Sequence, residues 1–456
     1  MNMKEQDIVI IGAGITGLTC AFQLRRKNRG VTVLECKDRV GGQIKTIKVD
    51  DFTFESGPNT GVVKYPEVAE LFEQLLGYCE METALESSKH RLIRKNKQLF
   101  ELPSSLMSAI RTPLFTWYDK FRILGESWRA KGEDPNESVG ALAERRLGKS
   151  YVDYAVDPFL SGVYAGDPYR LPARLALPRL YALEQQYGSF IRGSIAKARI
   201  PKTERDKKAT KKVFSAKGGF SMLVNALADA IGEENIIVSA NSITILPDGE
   251  GGWNINYTKN NEQVQVHAKQ VITTCGAYSL PQLLPFVDST LMSDLSRLYY
   301  APVVQIGVGI RDCGLNQWQA FGGLVPSREK KNLLGILFPS ACFQERAPKD
   351  GAVFSFFLGG VRHPDYVAKS DEELTEWVNH SLHEMLHYPL GKKADEIRIF
   401  RHEKAIPQYE VTTDARLRAI DQLKMQYPTL TVAGNLRDGI GMGDRIKQAY
   451  DVAEHI

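Results

Sequence analysis

Disulfide, metal and transmembrane chemistry have little to stand on in this sequence. Its six cysteines (Cys20, Cys36, Cys79, Cys275, Cys313 and Cys342) are scattered, with no CxxC pair, and its eight histidines form no cluster at metal-ligand spacing. That argues against a redox disulfide, a zinc site and an iron–sulfur cluster, so no metal is expected. No run of about 18 apolar residues occurs, so no segment is expected to span a bilayer. Met1–Asp7 is polar, and no secretory signal is expected ahead of the first strand. A reducing cytoplasm is the simplest compartment. The excess of one charge sign is small too: a net +4 over 456 residues does not by itself suggest nucleic acid, and no nucleic-acid partner is expected. The mild basic excess is compatible with anionic substrates or an anionic membrane surface. No acid–base pair or nucleophile triad stands out, and no catalytic side chain is assigned.

What is present suits an ordinary soluble protein of two or three interlocked domains, 43% hydrophobic and 25% charged. Asp7–Ile11 (DIVII) reads as a buried parallel strand. It runs into Gly12-Ala13-Gly14-Ile15-Thr16-Gly17 and then an apolar-periodic helix through Leu18, Ala21, Phe22 and Leu24. Gly12 permits the tight turn, Gly14 lets the backbone approach a pyrophosphate, and Gly17 lets helix and strand pack closely. The helix N-terminus then offers free N–H groups to the phosphates. A second strand, Val31–Leu34, ends in Glu35, 18 residues past Gly17 and placed to accept ribose hydroxyls. The setting of strand, glycine turn, helix, strand and acid is far more specific than the glycines alone.

NAD and FAD both use this unit, and the following residues favour FAD, held non-covalently. Arg39-Val40-Gly41-Gly42 resembles the RxGG extension of the FAD-dependent amine oxidase superfamily, where extra glycines wrap the diphosphate and the arginine adds charge. Phe54-Glu55-Ser56-Gly57-Pro58 resembles that superfamily's acid-x-glycine stretch beside the isoalloxazine, bringing in Gly57 and Pro58. At the far end, Leu430–Gly434 is another buried strand, followed by Asn435, Gly439, Gly441, Met442 and Gly443 and by a helix from about 444 to 455. Such a turn can place a second helix N-terminus against the flavin, where its partial positive charge stabilises the anionic N1–C2=O2 locus of the reduced ring. Ile236, on a strand returning to the nucleotide domain, joins the cofactor set.

The fold class expected is α/β and α+β: a discontinuous Rossmann-like FAD-binding domain (1–88, 198–284, 406–456) with two insertions. A helical domain spans 89–197 and a mixed β-sheet substrate domain 285–405. In the helical insertion Trp117, Phe121, Leu124 and Trp128 recur at helical spacing among Asp119, Lys120, Arg122 and Arg129. Aromatics so spaced line a protein core more often than a membrane interface; both readings stay open. The lysine-rich connector 200–212 reads as a solvated loop. Val303–Gly309, Gly335–Phe338 and Val353–Leu358 read as strands of a second sheet, built over the flavin to form a substrate cavity.

Several segments together resemble the protoporphyrinogen oxidase family, in family order across nearly the whole chain. They are Asp157–Pro168 (DPFLSGVYAGDP), Leu171, Glu184, Gly188-Ser189, Lys217–Phe220, Gly335–Pro348, Ala405–Tyr409 and Gly434–Arg445. The resemblance implies oxidation of protoporphyrinogen IX to protoporphyrin IX in heme biosynthesis. Six electrons leave in three flavin cycles, each a hydride transfer to flavin N5, with oxygen reoxidising the flavin to give peroxide. It implies Leu324 and Phe343 as apolar clamps on the macrocycle, and a loop Gly162–Gly166, with Gly162, Ala165 and Gly166, lining the cavity. The family's propionate-pairing arginine falls near Arg91–Lys95: Arg94 is the arginine at hand, whereas equal-length alignment puts Lys95 in its place. Two other departures are Thr412-Thr413, where many relatives carry Gly-His, and Arg445, where they carry cysteine or glycine. The partners implied are the porphyrinogen, molecular oxygen, a peripheral contact with the inner face of the cell membrane, a ferrochelatase receiving the product, and a second copy of the chain. Coproporphyrinogen III is the rival substrate; an amine oxidase and a non-catalytic flavin-binding regulator are more distant alternatives.

Overall fold

The computed structural model describes residues 4–313 and 318–456. Two seven-stranded sheets organise it. In the first, Ile236–Ile237, Val31–Leu34, Lys4–Ile11 and the inner half of Glu262–Thr273 lie parallel in that order. Leu430–Val432 adds a further parallel strand beside Val271, Ile272 and Thr273. All four residues of Val31–Leu34 are buried, as a strand covered on both faces requires. The outer half of Glu262–Thr273 instead pairs antiparallel with Trp253–Lys259, which pairs with Asn241–Pro247. Leu18 and Ala21 of helix Ile15–Arg26, Leu223 and Leu227 of helix Phe220–Ile231, and Ile446 and Ala449 of helix Met442–Glu454 fill one core on a face of this sheet. The chain's two ends therefore close one domain, and Lys27 Nζ donates to the Ala453 carbonyl at 2.6 Å.

The second sheet runs in the order Glu396–Pro407, Tyr300–Ile310, Ala352–Gly359, Gly335–Leu337, Gly322–Leu324, Arg91–Lys95 and Gln98–Glu101. All its pairings are antiparallel except that of Gly322–Leu324 with Arg91–Lys95. All eleven residues of Tyr300–Ile310 are buried because the strand is covered on both faces. Helix Asp371–Leu386 closes one face through Leu374, Val378 and Leu382. On the other, Cβ atoms added at Gly307 and Gly309 would strike the rings of Phe54 and Phe52 at 2.6 and 2.9 Å. Glycines there let the sheet lie directly on strand Phe52–Glu55.

The mixed α/β architecture read from the sequence is the one observed, and three local readings change. The stretch from 89 opens with the hairpin Arg91–Lys95 and Gln98–Glu101, which extends the second sheet before the helices begin. The connector 200–212 is not a free loop. It contains helix Glu204–Lys207 and ties to helix Pro66–Gln74 through Arg205 to Glu67 and Glu70 and Lys208 to Glu73. Gly162 lies inside helix Asp157–Tyr164, which ends on Ala165 in the left-handed conformation (φ +49°), so 162–166 is a helix terminus.

The helical insertion has a small apolar core (Val139, Leu142, Leu160, Leu171, Ala173, Ala176 and Phe190). Beside it lies a buried ion network. Arg146 reaches Glu126 at 3.3 Å and Glu184 at 2.8 Å, and all three are no more than 1% exposed. The aromatics that recur at helical spacing do not enter either: Trp117, Phe121 and Trp128 are 61, 67 and 80% exposed.

Candidate active site

The chain leaves the first strand through Gly12 at φ +104°, a conformation open to glycine. A Cβ on Gly17 would lie 1.9 Å from the Gly12 carbonyl oxygen, so helix and turn meet backbone to backbone. A Cβ on Gly14 would meet nothing within 4 Å. Space is thus kept above Gly14, at the N-terminus of helix Ile15–Arg26, where Ile15 and Thr16 are buried and no side chain caps the end. This cradle fits a dinucleotide pyrophosphate, which takes up helix N–H groups. Glu35 accepts the Ala13 N–H at 2.7 Å and the Lys37 N–H at 2.9 Å, which fixes its carboxylate beside the turn. Ile236 pairs with Val33 at the sheet edge, and the neighbouring Ile237 carbonyl accepts the Glu35 N–H.

Gly41 bridges to Gly14, and a Cβ on Gly42 would approach Gly14 Cα to 3.2 Å, so the second glycine pair closes over the first. Arg39 is turned inward: its guanidinium donates to the carbonyls of Val40, Gly42 and Ile44. It braces the glycine loop as well as adding charge. Gly57 and the half-buried Pro58 come next, and a Cβ on Gly57 would lie 2.1 Å from the Gln43 carbonyl oxygen.

The C-terminal turn is held by two tyrosines. Tyr409 donates to the carbonyls of Asn435 and Gly439 at 2.7 and 3.0 Å, and Tyr300 donates to the Asn435 side chain at 3.2 Å. Gly441 precedes helix Met442–Glu454, whose first residue, Met442, is buried. The Gly441 N–H is taken by Asp444 at 3.2 Å, and Asp444 pairs with Lys64 at 2.6 Å. The positive helix end expected here is thus partly offset by a carboxylate that carries its own lysine.

In the region expected to meet the substrate, a Cβ on Gly162 would lie 2.4 Å from Leu324 Cδ2, so Leu324 sits against the glycine face of the helix. Leu324 shares a cluster with Ile93, Leu114, Phe115 and Tyr154. Strand alternation separates the two cationic candidates. Lys95 follows Ile93 onto this face, with Nζ 4.7 Å from the Tyr154 ring centre and donating to the carbonyls of Pro113 and Leu114. Burial holds its ammonium below the ordinary lysine range. Arg94 points to the opposite face, buried and paired with Glu384 at 2.9 Å. Phe343 lies elsewhere, beside Val213, Cys342 and Phe321 and under the Arg346 guanidinium. The structure does not bring it into one cluster with Leu324.

A cavity of about 280 Å³ opens between the helix terminus and the second sheet. Ala165, Gly166, Val325 and Leu334 line it, as do Lys330, Lys331, Arg362 and His363, with no carboxylate among its lining residues. Arg362 is balanced from outside by Asp157 and Asp167, and Lys331 by Glu384. Among the described residues, Lys330 Nζ has neither hydrogen bond nor ion pair.

Several contacts that join the sheets have no local signal in the sequence. Gln305 Nε2 donates to the Glu55 carbonyl, and His402 Nε2 lies 2.5 Å from the Ser56 carbonyl. Two side chains of the second sheet thus hold consecutive carbonyls of the stretch expected beside the isoalloxazine. Burial, with Lys37 nearby, outweighs the Ser56 contact and holds the His402 imidazole below its ordinary pKa. Partners so distant in the chain become visible only once the strands are registered.

Residues 15–456 match the family of flavin containing amine oxidoreductases. The chain is 30% identical to protoporphyrinogen oxidase 1 of Spinacia oleracea chloroplasts, covering 99% of this chain and 84% of that protein. It is 28% identical to the chloroplastic/mitochondrial protoporphyrinogen oxidase 2 of Arabidopsis thaliana (99% and 94% covered) and 27% identical to the Homo sapiens protoporphyrinogen oxidase (98% and 98%). Among solved structures, a protein from Exiguobacterium sp. 255-15 superposes with a TM-score of 0.81 at 24% identity, covering 100% of this chain and 98% of that one. A reduced UDP-galactopyranose mutase gives 0.73 at 16% identity, with 99% and 93% covered. These two likenesses establish the fold.

Proposed function

The chain belongs to the protoporphyrinogen oxidase family of the flavin containing amine oxidoreductases, and from that membership we propose that it oxidises protoporphyrinogen IX to protoporphyrin IX. FAD is the cofactor. When bound, it supplies a two-electron acceptor that oxygen regenerates with release of hydrogen peroxide, three times per product. The observation that carries the reading is the seam between the sheets: Gln305 and His402 anchor the substrate sheet to Glu55 and Ser56, one loop away from the Gly14 cradle. A substrate on that sheet is held in fixed relation to the nucleotide domain, which is what proximity catalysis requires.

The chain's residues orient and enclose. Gly12, Gly14 and Gly17 set the pyrophosphate, Glu35 the ribose, and Asn435 and Gly441 the ring end. Leu324 against Gly162 offers an apolar surface to the macrocycle, and Lys95 on the same face offers charge to a propionate. Phe343 contributes through the packing beneath Arg346. The exposed aromatics of 117–128, flanked by Lys120, Arg122 and Arg129, support peripheral contact with the inner face of the cell membrane. Among the described residues, no helix is long and apolar enough to cross it. A phototoxic product supports handover to a ferrochelatase, and a homodimer completes the reading.

A second reading, oxidation of coproporphyrinogen III to coproporphyrin III, is favoured by the cationic lining of the cavity beside Ala165. That substrate carries four propionates in place of two. The deciding experiment is aerobic turnover of anaerobically prepared protoporphyrinogen IX and coproporphyrinogen III, side by side, on FAD-loaded enzyme, following porphyrin fluorescence and peroxide together. Faster turnover of the first upholds the proposal; faster turnover of the second transfers the same chemistry to the four-propionate substrate. No porphyrin from either overturns both.

A further inference from the structure

Among the described residues, five arginines are at least nine-tenths buried: Arg94, Arg146, Arg346, Arg416 and Arg445. Buried guanidinium groups are expected to meet a carboxylate or another anion, because leaving a charge without a counter-ion in a low-dielectric interior is costly. Three of them do: Arg94 pairs with Glu384, Arg146 with Glu126 and Glu184, and Arg346 with Glu82. The other two reach only neutral oxygens among the described residues. Arg416 donates to the Leu436 and Arg297 carbonyls and to Thr413 Oγ1. Arg445 donates to Gln448 Oε1 at 2.7 Å and to the Arg437 carbonyl at 2.7 Å, and its buried Nε has no partner.

Both reach the C-terminal glycine turn: Arg416 lies over the ring of Tyr409, which holds Asn435 and Gly439, and Arg445 donates to the Arg437 carbonyl. The nearby carboxylates are already matched: Asp438 with Arg437 at 2.9 Å, and Asp444 with Lys64 at 2.6 Å. The turn therefore carries an uncompensated positive charge. Arg445 also stands in the first turn of helix Met442–Glu454, the end where the helix dipole disfavours a cation. Burial, absence of a counter-ion and position all make this a costly place for arginine unless an anion completes it.

We propose that Arg445 is an electrostatic positioning residue for the bound flavin ring, its charge answering the negative charge that the N1–C2=O edge gains on reduction. The inference rests on FAD binding and not on the identity of the porphyrinogen. Reduction of FAD by two electrons and one proton leaves one net negative charge on the ring, and a fixed cation buried in the turn at the ring end would favour the reduced form.

The test is an anaerobic redox titration of FAD-loaded wild type, Arg445→Gln and Arg445→Lys against a reference dye, with no porphyrinogen present. The reduced form is expected to lose at least a tenfold preference in Arg445→Gln, a fall of about 30 mV for a two-electron couple. Arg445→Lys is expected to recover most of it. A second readout serves if Arg445→Gln loads poorly: sulfite, which adds to flavin N5 and leaves negative charge at N1–C2=O, is expected to bind about tenfold more weakly to Arg445→Met than to wild type. Equal potentials and equal sulfite affinities would overturn the proposal. So would weaker FAD binding with an unchanged potential, which would assign the charge to the pyrophosphate. Wild type that titrates as expected yet oxidises no porphyrinogen would leave this inference standing while the substrate reading fell.

Discussion

The carboxylate of Glu55 accepts the backbone N–H of Phe220 at 2.8 Å, joining residues 165 positions apart. Glu55 closes strand Phe52–Glu55, and Phe220 opens helix Phe220–Ile231. The approach needs the glycine before the helix: Gly219 sits at φ +106°, and a Cβ there would lie 2.4 Å from Thr46 Cγ2. Thr46 in turn donates its hydroxyl to Glu55 and receives the Ser221 N–H. One carboxyl thus caps helix Phe220–Ile231 and pins it to strand Phe52–Glu55.

Burial pushes Glu55 from an ordinary 4.5 up to about 7, the hydrogen bonds from Phe220 and Thr46 opposing the rise. The folded chain therefore keeps a proton on Glu55 over a window in which the unfolded chain has lost it. The associated stability is fully present below 4.5 and is lost as pH rises through about 7. Thermal unfolding of the holoenzyme between about pH 5 and about pH 8 should show the melting temperature falling more steeply in wild type than in Glu55→Gln. At the alkaline end the variant should be at least as stable. Parallel pH profiles would refute this account.

The glycines of the first turn should separate ligand binding from folding. Gly14→Val places its branches where the protein has no atoms, so the chain should fold with wild-type circular dichroism yet stay colourless, its FAD affinity down by two or more orders of magnitude. Gly17→Ala drives a Cβ to 1.9 Å from the Gly12 carbonyl and should fail to accumulate as soluble protein. Yellow holoprotein from Gly14→Val would show that the pyrophosphate does not approach there.

The nucleotide end was legible because its signals are contiguous: strand, glycine turn, helix and acid follow one another within 29 residues of Asp7–Glu35, and each is read from its neighbours. Sheet membership was not. Arg94 and Lys95 are adjacent letters, and only the pairing of Leu92 and Ile93 with Gly323 and Leu324 decides which side each takes. The partners of the connector, Glu67, Glu70 and Glu73, are more than a hundred residues upstream of their cations. The period of Trp117, Phe121 and Trp128 identified a helical stretch but not its environment, because an apolar stripe has the same spacing on a core as on a membrane.

The buried network of the helical insertion should behave as a folding element. Glu126 accepts from Ser189 Oγ at 2.5 Å and from the Phe190 N–H at 3.0 Å, and it faces Arg146. Glu126→Ala leaves a buried guanidinium one carboxylate short and the Phe190 and Ile191 N–H groups without their acceptor, and should cost about 3–5 kcal/mol. Denaturant unfolding measures it. The double replacement Glu126→Leu with Arg146→Met should cost less than the single change, because the under-paired guanidinium is gone and Glu184 keeps Arg145 at 2.9 Å. A single variant of wild-type stability would mean that the network carries no net weight.

The exposed aromatics make the last prediction. Trp117, Tyr118, Phe121, Leu124 and Trp128 are each more than three-fifths exposed, and Lys120 Nζ lies 4.8 Å from the Trp117 ring centre. Large rings beside cations suit the boundary between headgroup and acyl chain, where apolar burial and attraction to anionic lipid act together. Flotation with vesicles rich in anionic phospholipid should carry the wild-type holoenzyme upward. Trp117→Ser with Phe121→Ser and Trp128→Ser should reduce the bound fraction severalfold without altering the flavin spectrum, since none of the three reaches the nucleotide domain's core. Raising salt should weaken binding of wild type and variant alike, as screening acts on the lysine and arginine contribution and not on the rings. If vesicles of neutral lipid retain the enzyme as well as anionic ones, the cations take no part; if neither retains it, the surface serves some other contact and membrane attachment is excluded for the isolated chain.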